Sequence, residues 1–377
     1  MKTHEIAVSL RMLAGGNISV CFAGKSPVYE AVCKRLESSG AALCIEPDKL
    51  GDFHSLVEPR GLPKAVFVSR HGLFALGHDS LEAHANAALF TGSKAPEGTQ
   101  NPGGRLENKI AIVTGAGQGF GKALALGLAG EGAYVAAVDA DLVKATATAD
   151  EINAVYGECT SIAIRADVSV EADVKNAVED AAREFGGLDI MLSCAGIVRA
   201  GGIEELSTED FLRINEVNYN GFYFCTKHAS GIMKLENSLS PGYFTDIIEI
   251  NSKSGLAGSR KNFAYAGSKF GGIGLVQSFA LELCEHRIKV NAVCPGNYLD
   301  GPLWSDPENG LFRQYLDAGK VPGAKTLGDV RKYYESKVPM GRGCQPDDVL
   351  RAVIYLIEQK YETGQALPVT GGQIMLN

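Results

Sequence analysis

KIAIVTGAGQGFGKALALGLAGEG, residues 109–132, is the stretch on which the fold turns. It opens with a short apolar run, passes through a glycine-rich turn and closes on an amphipathic stretch of helical period. The same succession repeats on its carboxyl side. Apolar runs recur at YVAAVD (134–139), TSIAIR (160–165), LDIMLS (188–193), DIIEIN (246–251), KVNAVC (289–294) and ALPVT (366–370), with helix-like stretches such as VKNAVEDAAREFGG between them. Seven strands alternating with helices imply an α/β class fold, a doubly wound parallel sheet of Rossmann type.

On the amino side, TGSKAPEGTQNPGGRLENK (91–109) is rich in Gly, Pro, Ser and Asn and carries neither period. Residues 91–106 therefore read as a linker between a segment at 1–90 and a larger domain at 107–377. The first segment holds NISVCFA (17–23), SPVYEAVCKRLESSG (26–40), AALCI (41–45) and KAVFVS (64–69), which suggest a smaller α/β unit.

The bulk properties narrow the function. A net charge of −8 argues against a nucleic-acid or anionic-membrane surface as the main partner. It does not forbid an anionic metabolite, since a pocket needs only two or three local cations. The nine cysteines are scattered and form no C-x-x-C pair, as expected of reduced thiols and not of disulfides or a zinc site. No apolar run reaches membrane-spanning length, and Arg11 breaks the amino-terminal stretch too early for a signal peptide. A cytoplasmic protein is expected.

Ligands of such sheets bind beyond the carboxyl ends of the strands, so the residues following each strand carry the chemistry. The first turn reads Gly115-x-x-x-Gly119-x-Gly121, with Gln118 inside it and Phe120 where the commoner G-x-G-x-x-G spacing has its last glycine. Glycines there let the backbone approach a pyrophosphate, and the following helix offers unpaired N–H groups. Asp139 closes the second strand, where a carboxylate accepts bonds from ribose hydroxyls and repels a 2′-phosphate. No Arg or Lys adjoins it in sequence, which favours NAD over NADP; Asp141 competes for the role. Asp167 and Val168 follow the third strand, beside an adenine amino group. Ser193-Cys194-Ala195-Gly196 follows the fourth, small enough for close passage of the chain.

A secondary alcohol loses hydride only as its hydroxyl proton leaves, so a positioned base is needed. Tyr265-Ala-Gly-Ser-Lys269 puts a lysine one helical turn from a tyrosine. With thirteen tyrosines that spacing alone is close to chance. Ser252, thirteen residues before Tyr265 and just past the fifth strand, adds a hydroxyl for the substrate oxygen. Asn218 in VNYNGF supplies a polar group for a relay behind Lys269.

TGAGQGFG, Asp139, Asp167, SCAG, Asn218, Ser252 and YAGSK, in that order, resemble the short-chain dehydrogenase/reductase family over 107–377. The resemblance implies that Tyr265 is the general acid/base and that Lys269 lowers its pKa and holds the nicotinamide ribose. It implies that Ser252 polarises the substrate oxygen and that Asn218 anchors a relay water. Pro295 and Gly296 would flank the nicotinamide. SCAG departs from the family's N-N-A-G, which would loosen that turn, and Asp300 stands where a threonine is usual. INSKSGLAGSRKNFAYAGSKFGG (250–272), GNYLDGPL (296–303), YYESKVPMGRGC (333–344) and TGQALPVTGGQIM (363–375) resemble the branch of the family that acts on hexitol phosphates. That likeness implies NAD-linked oxidation at C2, interconverting sorbitol 6-phosphate and fructose 6-phosphate. Asn297 would touch the substrate, and Lys253, Arg260, Lys261 and Arg342 are candidates to clamp its phosphate. Each is equally readable as a solvated surface charge. The family also implies a homotetramer or homodimer, with the helices carrying Asn218 and Tyr265 near the subunit interface.

AVFVSRHGLFALGHDSLEAHANAA (65–88) weakly resembles the end of a class II aldolase/adducin domain. That family's paired H-x-H zinc ligands have no match here. His71 is the one residue in position for a remaining ligand, and His78 and His84 read as surface residues. No metal is expected, and the segment reads as a shortened packing or assembly module. Other readings are a dehydrogenase for a different sugar, polyol or aldehyde, a bifunctional aldolase–dehydrogenase, and a cofactor-binding regulator; the intact Asn218, Ser252, Tyr265 and Lys269 argue against the last.

Overall fold

A computed structural model describes residues 1–16, 18–57, 62–96 and 103–375. Residues 97–102 of the expected linker lie outside the described residues. The amino-terminal part runs α1 (Thr3–Leu13), β1 (Ser19–Gly24), α2 (Pro27–Leu36), β2 (Ala42–Ile45), α3 (Phe53–Val57), β3 (Ala65–Val68), β4 (Gly72–Gly77) and α4 (Ser80–Thr91). Its four-stranded sheet has the order β1-β4-β3-β2, with β2 and β3 parallel and β4 antiparallel to both its neighbours.

The larger part continues β5 (Ile110–Thr114), α5 (Gly119–Gly130), β6 (Tyr134–Asp139), α6 (Leu142–Tyr156), β7 (Ser161–Arg165), α7 (Glu171–Phe185) and β8 (Ile190–Ser193). Then come α8 (Thr208–Asn215), a π-helical turn (Glu216–Asn220), α9 (Gly221–Leu239), β9 (Thr245–Ile250), α10 (Phe263–Leu283) and β10 (Ile288–Pro295). It ends with α11 (Pro302–Ser305), α12 (Leu311–Asp317), α13 (Leu327–Ser336), α14 (Pro346–Glu358) and β11 (Ala366–Val369).

The seven-stranded sheet is parallel in the order β11-β10-β9-β8-β5-β6-β7, so all seven apolar runs are strands. The inner strands β5, β6, β8, β9 and β10, buried on both faces, read as near-continuous apolar runs without alternation, while the edge strands β7 and β11 are half-buried. One core packs α7, α9 and α10 against the sheet; the other packs α5, α6 and α14 against its opposite face. The chain reverses direction across the sheet between β5 and β8, and the crevice at their carboxyl ends is the place for a ligand.

The small part docks at the other end. Val8 and Met12 of α1 enter the core shared with α7 and α9. Arg11, 1% exposed, donates to Asp189 at 2.8 Å, to Glu236 at 3.0 Å and to the Asn108 carbonyl at 3.0 Å. The residue that seemed only to interrupt an apolar stretch is therefore the pin between the two parts. His84, expected on the surface, is a second tie: its Nε2 meets Glu184 on α7 at 2.8 Å and its Nδ1 meets the Ser80 carbonyl at 2.8 Å. Burial opposes its charge, but bonds to Cys159 and Glu184 push its pKa up to about 12. His71 is half-buried with its pKa lowered by burial, and His78 is exposed. Among the described residues, no group of His, Cys, Asp or Glu is placed to hold a metal ion, and no helix is long and apolar enough to cross a membrane.

Candidate active site

A cavity of about 420 Å³ opens at the switch point. Gly115, Gln118, Gly119, Phe120 and Gly121 line one end with Asp139, Asp167, Val168, Cys194, Ala195 and Gly196. Ser252, Lys253, Tyr265, Lys269, Pro295, Gly296 and Asn297 line the other.

The glycines at the first end are required by contact. Gly115 has φ +66°, and a Cβ there would lie 2.9 Å from the Ala195 Cα. A Cβ on Gly121 would stand 2.0 Å from the Gly115 carbonyl. Gln118 precedes α5 without a side-chain cap, which leaves the first N–H groups of that helix facing the cavity, and no acidic residue occupies its first turn. This cradle fits a pyrophosphate. The SCAG turn is not loosened: the Thr114 hydroxyl accepts from the amides of Cys194 (3.0 Å) and Ala195 (3.1 Å). Burial pushes the Cys194 thiol up to about 12, so it stays a neutral, small wall.

Asp139 accepts from the amides of Gly117 (2.8 Å) and Asp141 (3.0 Å), which orients its carboxylate at the adenosine end. Asp141 is the side-chain cap of α6, bonded to the amides of Val143 and Lys144, so capping is its task. The cation absent from the local sequence arrives by folding, since Lys144 Nζ reaches Gln118 Oε1 at 3.2 Å. The Asp167 carboxylate is occupied by Ser169 (2.6 Å) and Arg213 (2.9 Å), which hold its pKa down against the effect of burial. It thereby ties the turn after β7 to α8.

At the reacting end, α10 carries Tyr265 and Lys269 into the cavity, and Ser252 caps the short turn after β9 by accepting from the Ser254 amide at 3.1 Å. Lys269 is 4% exposed and donates to the Ile250 carbonyl (2.9 Å) and to Glu249 (3.3 Å), itself 1% exposed. Burial opposes its charge, but Glu249 and Tyr265 outweigh burial and hold its pKa above the ordinary lysine value. Glu249 was not foreseen, although a carboxylate inside an otherwise apolar run was its signal.

Asn218 lies in the π-helical turn and not in a regular helix. Its amide clasps Ile197 through both N (2.8 Å) and O (3.0 Å) and donates to Ser268 at 3.1 Å. It thus ties the loop after β8 to the neighbour of Lys269 and does not bond Lys269 itself. Asp300 braces the segment after β10, bonding Arg331 (2.6 Å) and Gln345 (3.0 Å).

Of the four proposed phosphate cations only Lys253 lines the cavity. Arg342 is paired with Asp348 at 2.6 and 2.9 Å, and Lys261 with Glu205 at 3.1 Å and the Ala318 carbonyl at 2.8 Å. Arg260 is exposed and off the cavity. The roof, missed from sequence, is an aromatic cluster in which Trp304 packs on Phe312, Tyr315 and Tyr334 with centroids 4.8–5.6 Å apart. These residues lie outside any short motif and meet only when α11, α12 and α13 fold together.

The sequence profile of the family described as short chain dehydrogenase matches residues 109–305. The chain is a short-chain dehydrogenase. This dehydrogenase is 40% identical over 270 residues to sorbitol-6-phosphate 2-dehydrogenase of Escherichia coli K12, covering 71% of this chain and 99% of that protein. The crystal structure of sorbitol-6-phosphate 2-dehydrogenase from Erwinia amylovora superposes with a TM-score of 0.65 at 36% identity, over 71% of this chain and all of that one. A 3-ketoacyl-(acyl-carrier-protein) reductase from Brucella melitensis, crystallised with NADH, superposes with a TM-score of 0.60 at 31% identity, over 71% and 99% of the two chains. The dehydrogenase is thus an oxidoreductase of a family that uses a nicotinamide cofactor, and the match of the family profile begins at Lys109.

Proposed function

We propose that this dehydrogenase uses NAD to interconvert a polyol phosphate and a ketose phosphate, with sorbitol 6-phosphate and fructose 6-phosphate as the substrate pair. The observation that carries the reading is the charge of the cavity. Its lining acids, Asp139 and Asp167, both stand at the adenosine end, and no carboxylate among the described residues lines the part around Ser252 and Tyr265. An anionic substrate is accepted there without repulsion. The likeness to two sorbitol-6-phosphate 2-dehydrogenases names the class of anion.

The glycine turn, Asp139 and Lys269 would hold a nicotinamide cofactor, which would supply the acceptor for the hydride of the reacting carbon. Tyr265 takes the hydroxyl proton in oxidation and returns it in reduction. Lys269 keeps a positive charge beside the phenolic oxygen, and Ser252 holds the substrate oxygen. Asn218 fixes the loop after β8 and anchors a water in the proton relay behind Lys269. Asp139 favours NAD by excluding a 2′-phosphate. The outward faces of α9 and α10, with Tyr223 and Phe270 exposed, suit a homodimer or homotetramer.

The test is absorbance at the NADH band with NAD or NADP against sorbitol 6-phosphate, its epimers and the free polyols. NADH formed from a hexitol phosphate in preference to its free polyol is the expected result. Turnover confined to an unphosphorylated alcohol overturns the reading.

A further inference from the structure

Among the described residues six charged side chains line the cavity, and four of them are neutralised within the protein or serve the adenosine end. Asp167 pairs with Arg213, Lys269 pairs with Glu249, and Asp139 faces the cofactor cradle. Lys253 and Lys320 remain, and neither forms an ion pair among the described residues. Both are substantially buried. Lys320 leaves α12 by a short loop, lies over the Tyr315 ring at 3.9 Å and approaches the Ser259 hydroxyl at 3.4 Å. Two ammonium groups held close in a partly dry site repel one another and are costly to charge, unless an anion completes the set.

We infer that Lys253 and Lys320 together form the phosphate clamp of the substrate site. This deepens the proposed function and rests on it for the identity of the phosphate ester. Lys253 follows Ser252 directly in the chain, and both line the same cavity as Tyr265 and Lys320, so one short polyol ester can meet the reacting groups and the clamp together. Two amide atoms complete the match. Asn262 and Asn297 line the same cavity, and Asn262 Oδ1, an acceptor, and Asn297 Nδ2, a donor, are buried with no hydrogen-bond partner among the described residues. Hydroxyl groups along a polyol chain satisfy both kinds.

The titration of the two lysines follows from the same burial and crowding. Burial lowers the Lys253 pKa, while burial and then the nearby Lys253 push Lys320 down to about 8. The groups facing Lys320 are Lys253, Tyr315 and Ser259, and none offers a negative charge near neutrality. A bound phosphate dianion reverses the shift. Affinity for the phosphorylated substrate therefore weakens as the pH rises through about 8 in the free enzyme.

The experiment uses the full chain with Lys253→Met, Lys320→Met and, as comparator, Arg342→Ala. The first readout is kcat/KM for sorbitol 6-phosphate divided by that for sorbitol. Each lysine variant is expected to lower this ratio about ten- to hundredfold, the loss of a charge-assisted hydrogen bond. Arg342→Ala is expected to leave it within about twofold. The second readout is the fluorescence of Trp304, the single tryptophan, titrated with inorganic phosphate. Trp304 packs on Tyr315, beneath Lys320, so it reports occupancy of the clamp without turnover. A saturable change in the unmodified protein that both lysine variants lose supports the clamp, even if no hexitol phosphate is turned over and the substrate reading fails. Turnover of sorbitol 6-phosphate with the ratio unmoved in both lysine variants overturns the clamp and leaves the substrate reading standing. NADH binding checks that each variant is folded, and Lys253→Gln and Lys320→Gln replace any methionine variant that is not.

Discussion

Tyr265 gains its role from what surrounds it. The residue sits at the edge of the aromatic roof, with Lys269 one turn below and Ser252 across the cavity. Removing the phenolic oxygen alone leaves that packing in place. Tyr265→Phe is therefore expected to lower kcat by roughly 10²–10⁴-fold while NADH still binds; a kcat within tenfold of the unmodified enzyme would assign the proton transfer elsewhere. Asp139 acts at the other end by charge. Its carboxylate is held by two backbone amides, and Lys144 stands close enough to bond Gln118. Replacing Asp139 with Ser removes the repulsion and leaves a cation nearby. The ratio of kcat/KM for NADP over NAD is expected to rise about tenfold or more, equivalent to about 1.4 kcal/mol. An unchanged ratio would show that cofactor choice lies outside this residue.

At the scale of elements, the junction of β5 and α5 is the most exacting geometry in the molecule. Gly121 is the first turn of a helix pressed onto the carbonyl of Gly115, with no room for a methyl group. Gly121→Ala must push the helix terminus away from the loop, so NADH binding is expected to weaken at least tenfold, as measured by titration of cofactor fluorescence. Binding at the unmodified affinity would mean that the helix terminus does not contact the pyrophosphate. This junction was legible in sequence because its constraints are local: an apolar run, glycines at fixed offsets and a helical period. The seven parallel strands were legible for the same reason. The parts that stayed hidden depend on distant contacts. Helix α1 is buried on all sides from Ile6 to Met12, and Arg11 within it makes sense only beside Asp189 and Glu236. Strand β4, GLFALG, is a short apolar run of a kind that periodicity alone cannot assign. The π-helical turn at Asn218 and the roof of α11, α12 and α13 leave no repeating pattern. Lys320 has no motif at all, because its neighbour Lys253 is reached only through the fold.

The whole molecule is two α/β units joined by a buried charge cluster at the end of the large sheet opposite the cavity. Arg11 lies among Asp189, Glu236, Tyr243 and Lys109, and Tyr243 also hydrogen-bonds Asp189. Removing the guanidinium takes a charged partner from two buried carboxyl groups, so Arg11→Ala is expected to cost about 3–5 kcal/mol of stability. The cluster also sets a pH dependence. Burial opposes the charge of Asp189, but Arg11 and Lys109 hold its carboxyl well below the ordinary range. Burial, and then the neighbouring Asp189, push Glu236 from 4.5 up to about 8. A carboxyl raised on folding contributes its full stabilisation below its unfolded value, and that contribution fades as the pH rises through the folded value. Asp189 has the opposite sign and loses its contribution only in strong acid. The midpoint of thermal unfolding is therefore expected to fall as the pH rises from about 4.5 to about 8. Glu236→Gln removes the titrating proton but keeps an acceptor for Arg11 and for the Leu188 amide, so it should flatten that decline. Calorimetry of both proteins across the range decides the matter. Equal slopes would place the titration in another group, with Asp246, pushed up to about 7 by burial against Lys289, the next to substitute.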